Sequence, residues 1–172
     1  MRRTTLVSVT IVAVFVSVPV QAQPRVVADA GQYSLPAMAL LIAAVHDDGD
    51  GVIDLMQSLS VAWATTWGLK VIVDAERPNG GGHSFPSAHT SVAFASATHI
   101  WRRYGWKWGA PAAVAATMVA TSRVDTRDHH VRDVLVGAAI GTVSPMFFTS
   151  RRVKLAPVAL RGGGGIFVSV GN

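Results

Sequence analysis

The chain has 172 residues, half of them hydrophobic and 15% charged, with no cysteine and a formal net charge of +5. That size suits one domain, the apolar content excludes a disordered chain, and the missing thiols exclude a disulfide framework and thiolate chemistry. The positive charge is modest and scattered, so no nucleic-acid partner is expected.

In chain order, residues 1–22 read as a secretory signal. Arg2 and Arg3 stand at the start, Leu6 to Val20 is apolar, and Val20-Gln21-Ala22 is a small-residue ending. The apolar stretch is shorter than the ~20 residues of a usual span. The rest divides into a domain over 23–150 and a basic, glycine-rich tail over 151–172. Tyr33 to Val45 is an uncharged, alanine-rich run closed by "HDDGDGVID". Leu55, Leu59, Ala62, Trp63, Trp67 and Lys70 recur at helical steps and predict a helix that runs to Val73. "ERPNGGGHSFP" reads as a loop by its glycines and prolines, and His83 within it as a solvated residue. Helices follow at Ser87 to Tyr104, Trp108 to Ser122 and His129 to Thr149. Period-two alternation is absent until "GGGGIFVSV". The expected architecture is all-α, a bundle of about five helices with a short extended C-terminal tail.

"HDDGDGVIDLMQ" approaches a calcium loop, with Asp48, Asp50, Gly51 and Asp54 in register. His46 stands in place of the first ligand and Gln57 in place of the closing glutamate, so two strong oxygen ligands are missing. The stretch is read as an interhelical turn in which Asp54 caps the next helix. The uncharged runs are too short for confident spans and favour a soluble or peripheral domain of the periplasm or cell envelope. Arg2-Arg3, Arg102-Arg103 and Arg151-Arg152 instead fit the cytoplasmic loops of a six-span protein, which makes an integral inner-membrane protein the alternative. Trp63, Trp67, Trp101, Trp106 and Trp108 suit a lipid-facing surface or an ordinary core, and the core is expected.

Three clusters carry chemistry. The first holds Lys70 and Arg77, a point charge and a planar fork suited to phosphate oxygens. In the second, Pro86-Ser87-Ala88-His89 opens a helix whose first amides lack partners and favour an anion. Ser87 adds a hydroxyl, and His89 is placed to donate a proton to a departing oxygen. The third contains Arg123, His129 and Asp133. His129 and Asp133 are four apart and would share one helix face, so that Asp133 fixes the imidazole tautomer and leaves a nucleophilic nitrogen. His130 competes for that role but points elsewhere on the helix.

The ordered pattern K-x6-RP, PSxH and SR-x5-H-x3-D, over residues 70 to 133, resembles the type 2 phosphatidic acid phosphatase family, which includes bacterial acid phosphatases and vanadium haloperoxidases. The resemblance implies a helical bundle and metal-independent hydrolysis of phosphomonoester or pyrophosphate bonds of lipid phosphates, through a phosphohistidine and without a cofactor. It implies that His129 attacks phosphorus, Asp133 orients His129, and His89 protonates the leaving alcohol and then activates water. Lys70, Arg77, Ser87, Arg123 and the amide of Ala88 would hold the phosphoryl oxygens. Ala88 departs from the family's usual glycine and is expected to affect which substrates fit. The implied partner is a phosphorylated lipid or a small phosphomonoester, with membrane association. A vanadium-dependent haloperoxidase, and a catalytically silent membrane or binding protein on the same scaffold, are the alternative readings.

Overall fold

The computed structural model describes residues 24–149, 153–160 and 163–170; the expected signal, 1–22, and Arg151-Arg152 lie outside them. Five helices follow one another: α1 (Pro24–Val45), α2 (Gly49–Val73), α3 (Ala88–Tyr104), α4 (Trp106–Asp125) and α5 (Val131–Phe148). The domain is the all-α bundle that the sequence predicts. The tail is more than a single extended segment, because β1 (Val153–Leu160) and β2 (Gly163–Val170) pair antiparallel, with Val153 opposite Val170 and Leu160 opposite Gly163.

α3 is the central element and packs against all four other helices. Its sequence explains this. Thr90, Ser91, Ala93, Ala95, Ser96 and Ala97 are all buried and all small, so neighbouring backbones approach closely around its circumference. Leu35, Ala39 and Ile42 of α1, Leu55 of α2, Ile100 and Tyr104 of α3, and Ala112, Ala116 and Val119 of α4 form the apolar core with it. α5 approaches α3 closely through two glycines one turn apart. A Cβ added at Gly137 would stand 2.6 Å from the carbonyl oxygen of Ser87, and one at Gly141 would collide with the carbonyl oxygen of Ser91. This pair docks α5 on the start of α3.

The acidic turn differs from expectation. Asp48, not Asp54, caps α2, accepting a hydrogen bond from Gly51 N at 3.1 Å. Asp54 lies inside the helix. Both carboxylates grip Arg103 of α3: Nη2 lies 2.7 Å from Asp48 Oδ1, and Nη1 lies 3.1 Å from Asp54 Oδ2. Arg103 holds the Asp48 carboxyl well below the usual carboxylate range. The resemblance to a calcium loop therefore has a structural cause, since the acidic residues are counter-ions to a buried guanidinium.

The five tryptophans are not in the core. Trp63, Trp67, Trp101, Trp106 and Trp108 are between 39% and 62% exposed, and they stand among exposed Ile53, Met56, Val71, Ile72, Val114, Leu135 and Phe147. The interior around α3 is filled largely by small residues, and the indoles lie on the outer faces of the helices. One helix among the described residues, Val131–Phe148, is long and apolar enough to cross a membrane by length and composition.

Gly141→Ala is expected to overpack the α3–α5 contact and cost about 1–3 kcal/mol, seen as a thermal midpoint lowered by several degrees in circular dichroism.

Candidate active site

Lys70 is the last buried residue of α2. Its ammonium donates to the carbonyl oxygens of His83 at 2.7 Å and Ser84 at 3.5 Å, so backbone and not carboxylate holds it. Burial brings its pKa down to about 8, with the Arg77 charge acting in the same direction. Past the left-handed cap Asp74, the loop wraps around Arg77. Its amide donates to Gly81 O at 2.6 Å, its carbonyl accepts from Gly80 N at 2.9 Å, and its Nε donates to Gly82 O at 3.1 Å. Gly80 has φ +85, a conformation that side-chain-bearing residues rarely adopt. Asn79 Nδ2 donates to Asp128 Oδ1 at 3.0 Å and ties this loop to the α4–α5 connection. His83 is exposed, as expected, and pairs with Asp74 at 3.0 Å.

Ser87 sits one position earlier relative to the helix than the sequence suggests, as the N-cap of α3, with Ala88 the first helical residue. The Ser87 hydroxyl is fully buried and accepts from Thr90 Oγ1 at 3.0 Å, which leaves its own proton to donate. His89 follows in the first turn. Its Nε2 lies 3.1 Å from Asp29 Oδ1 of α1. Burial pushes the His89 pKa down, Arg123 acts with it, and Asp29 opposes both.

Arg123 stands in the last turn of α4, with Nη2 3.1 Å from Asp128 Oδ2 and Nη1 3.6 Å from Asp29 Oδ1. The chain then turns back, and the amides of Asp128 and His129 both donate to Arg123 O, at 3.2 and 3.1 Å. His129 is therefore not on a helix. His130, in an extended conformation, is the N-cap, and α5 begins at Val131. The shared helix face predicted for His129 and Asp133 is replaced by a loop that folds onto the helix start. The His130 amide causes the difference: it donates to Asp133 Oδ2 at 2.9 Å, which caps the helix one residue after His129.

Asp133 and His129 are both buried, with His129 Nδ1 3.8 Å from Asp133 Oδ2. That is an ion-pair distance and longer than a hydrogen bond, so the expected tautomer-fixing bond is not formed in this state. Asp133 Oδ2 instead accepts from Ser84 Oγ at 2.5 Å. Burial, followed by the charges of Lys70, Arg77 and Arg123, brings the His129 pKa down to about 4. The imidazole is thus neutral at neutral pH. All three cations act on this imidazole, which joins the first cluster to the third, and the second joins them through Arg123 acting on His89 and the Ser87 amide donating to Asp133 O at 3.0 Å. His130 points its Nε2 toward Glu76 O at 3.2 Å, away from this group.

Sequence reasoning missed four residues here: Asp29, Asn79, Ser84 and Asp128. Asp128 was visible beside His129. Ser84 and Asn79 carry no spacing signal, and Asp29 stands sixty residues from His89.

Residues 5–155 match the PAP2 superfamily, a match that begins inside the segment read as a signal. The chain is 28% identical over 129 residues to a lipid A 4'-phosphatase of Helicobacter pylori, covering 68% of this chain and 65% of that protein. It is 41% identical over 69 residues to a lipid A 1-phosphatase of Porphyromonas gingivalis (38% and 16%) and 36% identical over 78 residues to a lipid A 1-phosphatase of H. pylori (44% and 40%). The chain thus spans less than two thirds of the length of each of these relatives. The crystal structure of Aquifex aeolicus LpxE superposes with a TM-score of 0.64 at 23% identity, covering 72% of this chain and 81% of that one, and shows the same fold.

Ser84→Ala leaves a buried carboxylate without its hydroxyl partner. Denaturant unfolding should show a loss of about 1–3 kcal/mol.

Proposed function

The chain belongs to the PAP2 superfamily, and from that membership we propose that it is a metal-independent phosphatase of lipid phosphates that works through a phosphohistidine. The observation that carries the reading is the buried, neutral imidazole of His129 under the combined charge of Lys70, Arg77 and Arg123. A neutral imidazole is a nucleophile, and cations around it stabilise the equatorial oxygens of a phosphoryl group in transfer.

In the first step the His129 nitrogen remote from Asp133 attacks phosphorus. A P–N bond forms, the P–O bond to the leaving group breaks in line with it, and His89 gives its proton to the departing oxygen. Asp133, 3.8 Å away, stabilises the positive charge that His129 acquires. In the second step His89 takes a proton from water, the resulting hydroxide attacks phosphorus, and the P–N bond breaks. Lys70, Arg77, Arg123, the Ser87 hydroxyl and the helix-start amide of Ala88 hold the phosphoryl oxygens throughout.

Lipid A-type phosphates are the proposed substrates because three similar proteins bear the names of lipid A phosphatases. The outward-facing apolar side chains, tryptophans included, support a bilayer-associated location in the cell envelope. Residues 1–22 would serve as the export signal.

His129→Ala is expected to lower kcat by about 10³-fold or more while the far-ultraviolet dichroism stays unchanged. Enzyme quenched in alkaline denaturant should carry phosphate that is stable in base and labile in acid, and its absence would overturn the phosphohistidine.

The pH dependence follows from the site. Hydrolysis needs neutral His129, protonated His89 and charged Lys70. On kcat/KM, activity should rise as pH increases through about 4, where His129 loses its proton, and fall again below the ordinary histidine value of 6.5, where His89 does. His89→Gln should remove that second limb, lower kcat by about 10²–10⁴-fold, and leave a decline near 8 from Lys70.

A further inference from the structure

One carboxylate at the site has no place in the mechanism. Asp29 projects from the first turns of α1, far from the three motifs in sequence, and its side chain is 62% exposed. A single oxygen, Oδ1, lies 3.1 Å from Nε2 of His89 and 3.6 Å from Nη1 of Arg123. The second guanidinium nitrogen of Arg123 is taken by Asp128. Asp29 thus stands at the open side of the site, against the two groups between which a leaving oxygen would pass.

We propose that Asp29 determines specificity by rejecting leaving groups that carry negative charge, so that the site favours phosphomonoesters of neutral, hydroxyl-bearing alcohols over pyrophosphates. The proposal rests on the phosphatase reading above, since His89 marks the leaving-group side only if it is the proton donor. In an in-line displacement the nucleophile and leaving oxygen lie on opposite sides of phosphorus. With His129 on one side, the imidazole of His89 and the carboxylate touching it are on the other. The leaving group of a monoester is an alcohol, and a sugar or glycerol hydroxyl can donate a hydrogen bond to Asp29. The leaving group of a pyrophosphate is a second phosphoryl group, whose anionic oxygens would be forced against the carboxylate. Like charges brought to such range repel. The charged and titratable groups facing His89 are Asp29 from α1, Arg123 from α4 and Asp128 from the α4–α5 connection. Of the two carboxylates, Asp128 is buried and bound by Asn79 and Thr126 as well as Arg123, which leaves Asp29 as the one that a leaving group meets.

The test compares the full-length wild type with Asp29→Asn and Asp29→Glu in detergent, on two substrates that differ by one phosphoryl group, decyl phosphate and decyl diphosphate. The wild type should prefer the monophosphate. Asp29→Asn should shift the ratio of kcat/KM values toward the diphosphate by tenfold or more, and Asp29→Glu should keep the wild-type preference. An unchanged ratio in Asp29→Asn, or an equal gain on both substrates, overturns the proposal. Binding of inorganic phosphate and pyrophosphate, measured by calorimetry on the same three proteins, reads the selection without turnover. If the wild type hydrolyses neither substrate, the phosphatase reading fails. The role of Asp29 is then decided by binding alone: a tenfold relative gain for pyrophosphate in Asp29→Asn supports it, and no relative gain overturns it.

Discussion

Asp133 joins three segments of the chain through one residue. Its backbone carbonyl accepts the amide of Ser87 at 3.0 Å, and its carboxylate accepts the Ser84 hydroxyl and the His130 amide. The first bond fixes the start of α3 against the start of α5. The second closes the glycine loop over the site, and the third ends the α4–α5 connection and begins α5. A carboxylate with no solvent exposure is tolerable only with such donors around it. Its hydrogen bonds thus satisfy one oxygen of a buried carboxylate, Oδ2, and fix the positions from which Ser87, Lys70 and His129 reach one region.

The glycine pair on α5 makes this geometry reachable. Gly137 faces the carbonyl of Ser87, and Gly141 faces that of Ser91. Both contacts are backbone against helix, so α5 can lie close enough for Asp133 to reach the Ser87 amide. Beneath them, Thr66 of α2 donates to Ser91 Oγ, which donates to Ala88 O. A buried hydroxyl relay therefore ties α2, one turn before Lys70, to the first helical residue of α3.

The bundle treats two groups of its cations differently. Arg103 is held by Asp48 and Asp54, with opposite charges in bidentate reach, so its charge is consumed inside the protein. Lys70 and Arg77 are held by backbone carbonyls of the glycine loop. Carbonyl dipoles stabilise a cation without cancelling its charge. The consequence is visible in His129, whose pKa is depressed by burial and by these charges together. The first arrangement fastens α2 to α3. The second keeps positive charge available to an anion.

The sequence by itself determined the fold class, the loop between α2 and α3, and the three clusters of polar residues, because these depend on helical periodicity, on glycine and proline, and on residue types at short spacing. It placed His129 on a helix, Asp54 at a cap and the tryptophans inside. In each case a local pattern was overruled: His130 N found the Asp133 carboxylate, Arg103 claimed both acidic residues, and small side chains filled the interior. Only the tertiary structure decided that Ser84 holds Asp133 and that Asp29 reaches His89. Those partners lie forty-nine and sixty residues apart, and contacts over such separations are set by how helices pack, which no short window of sequence records.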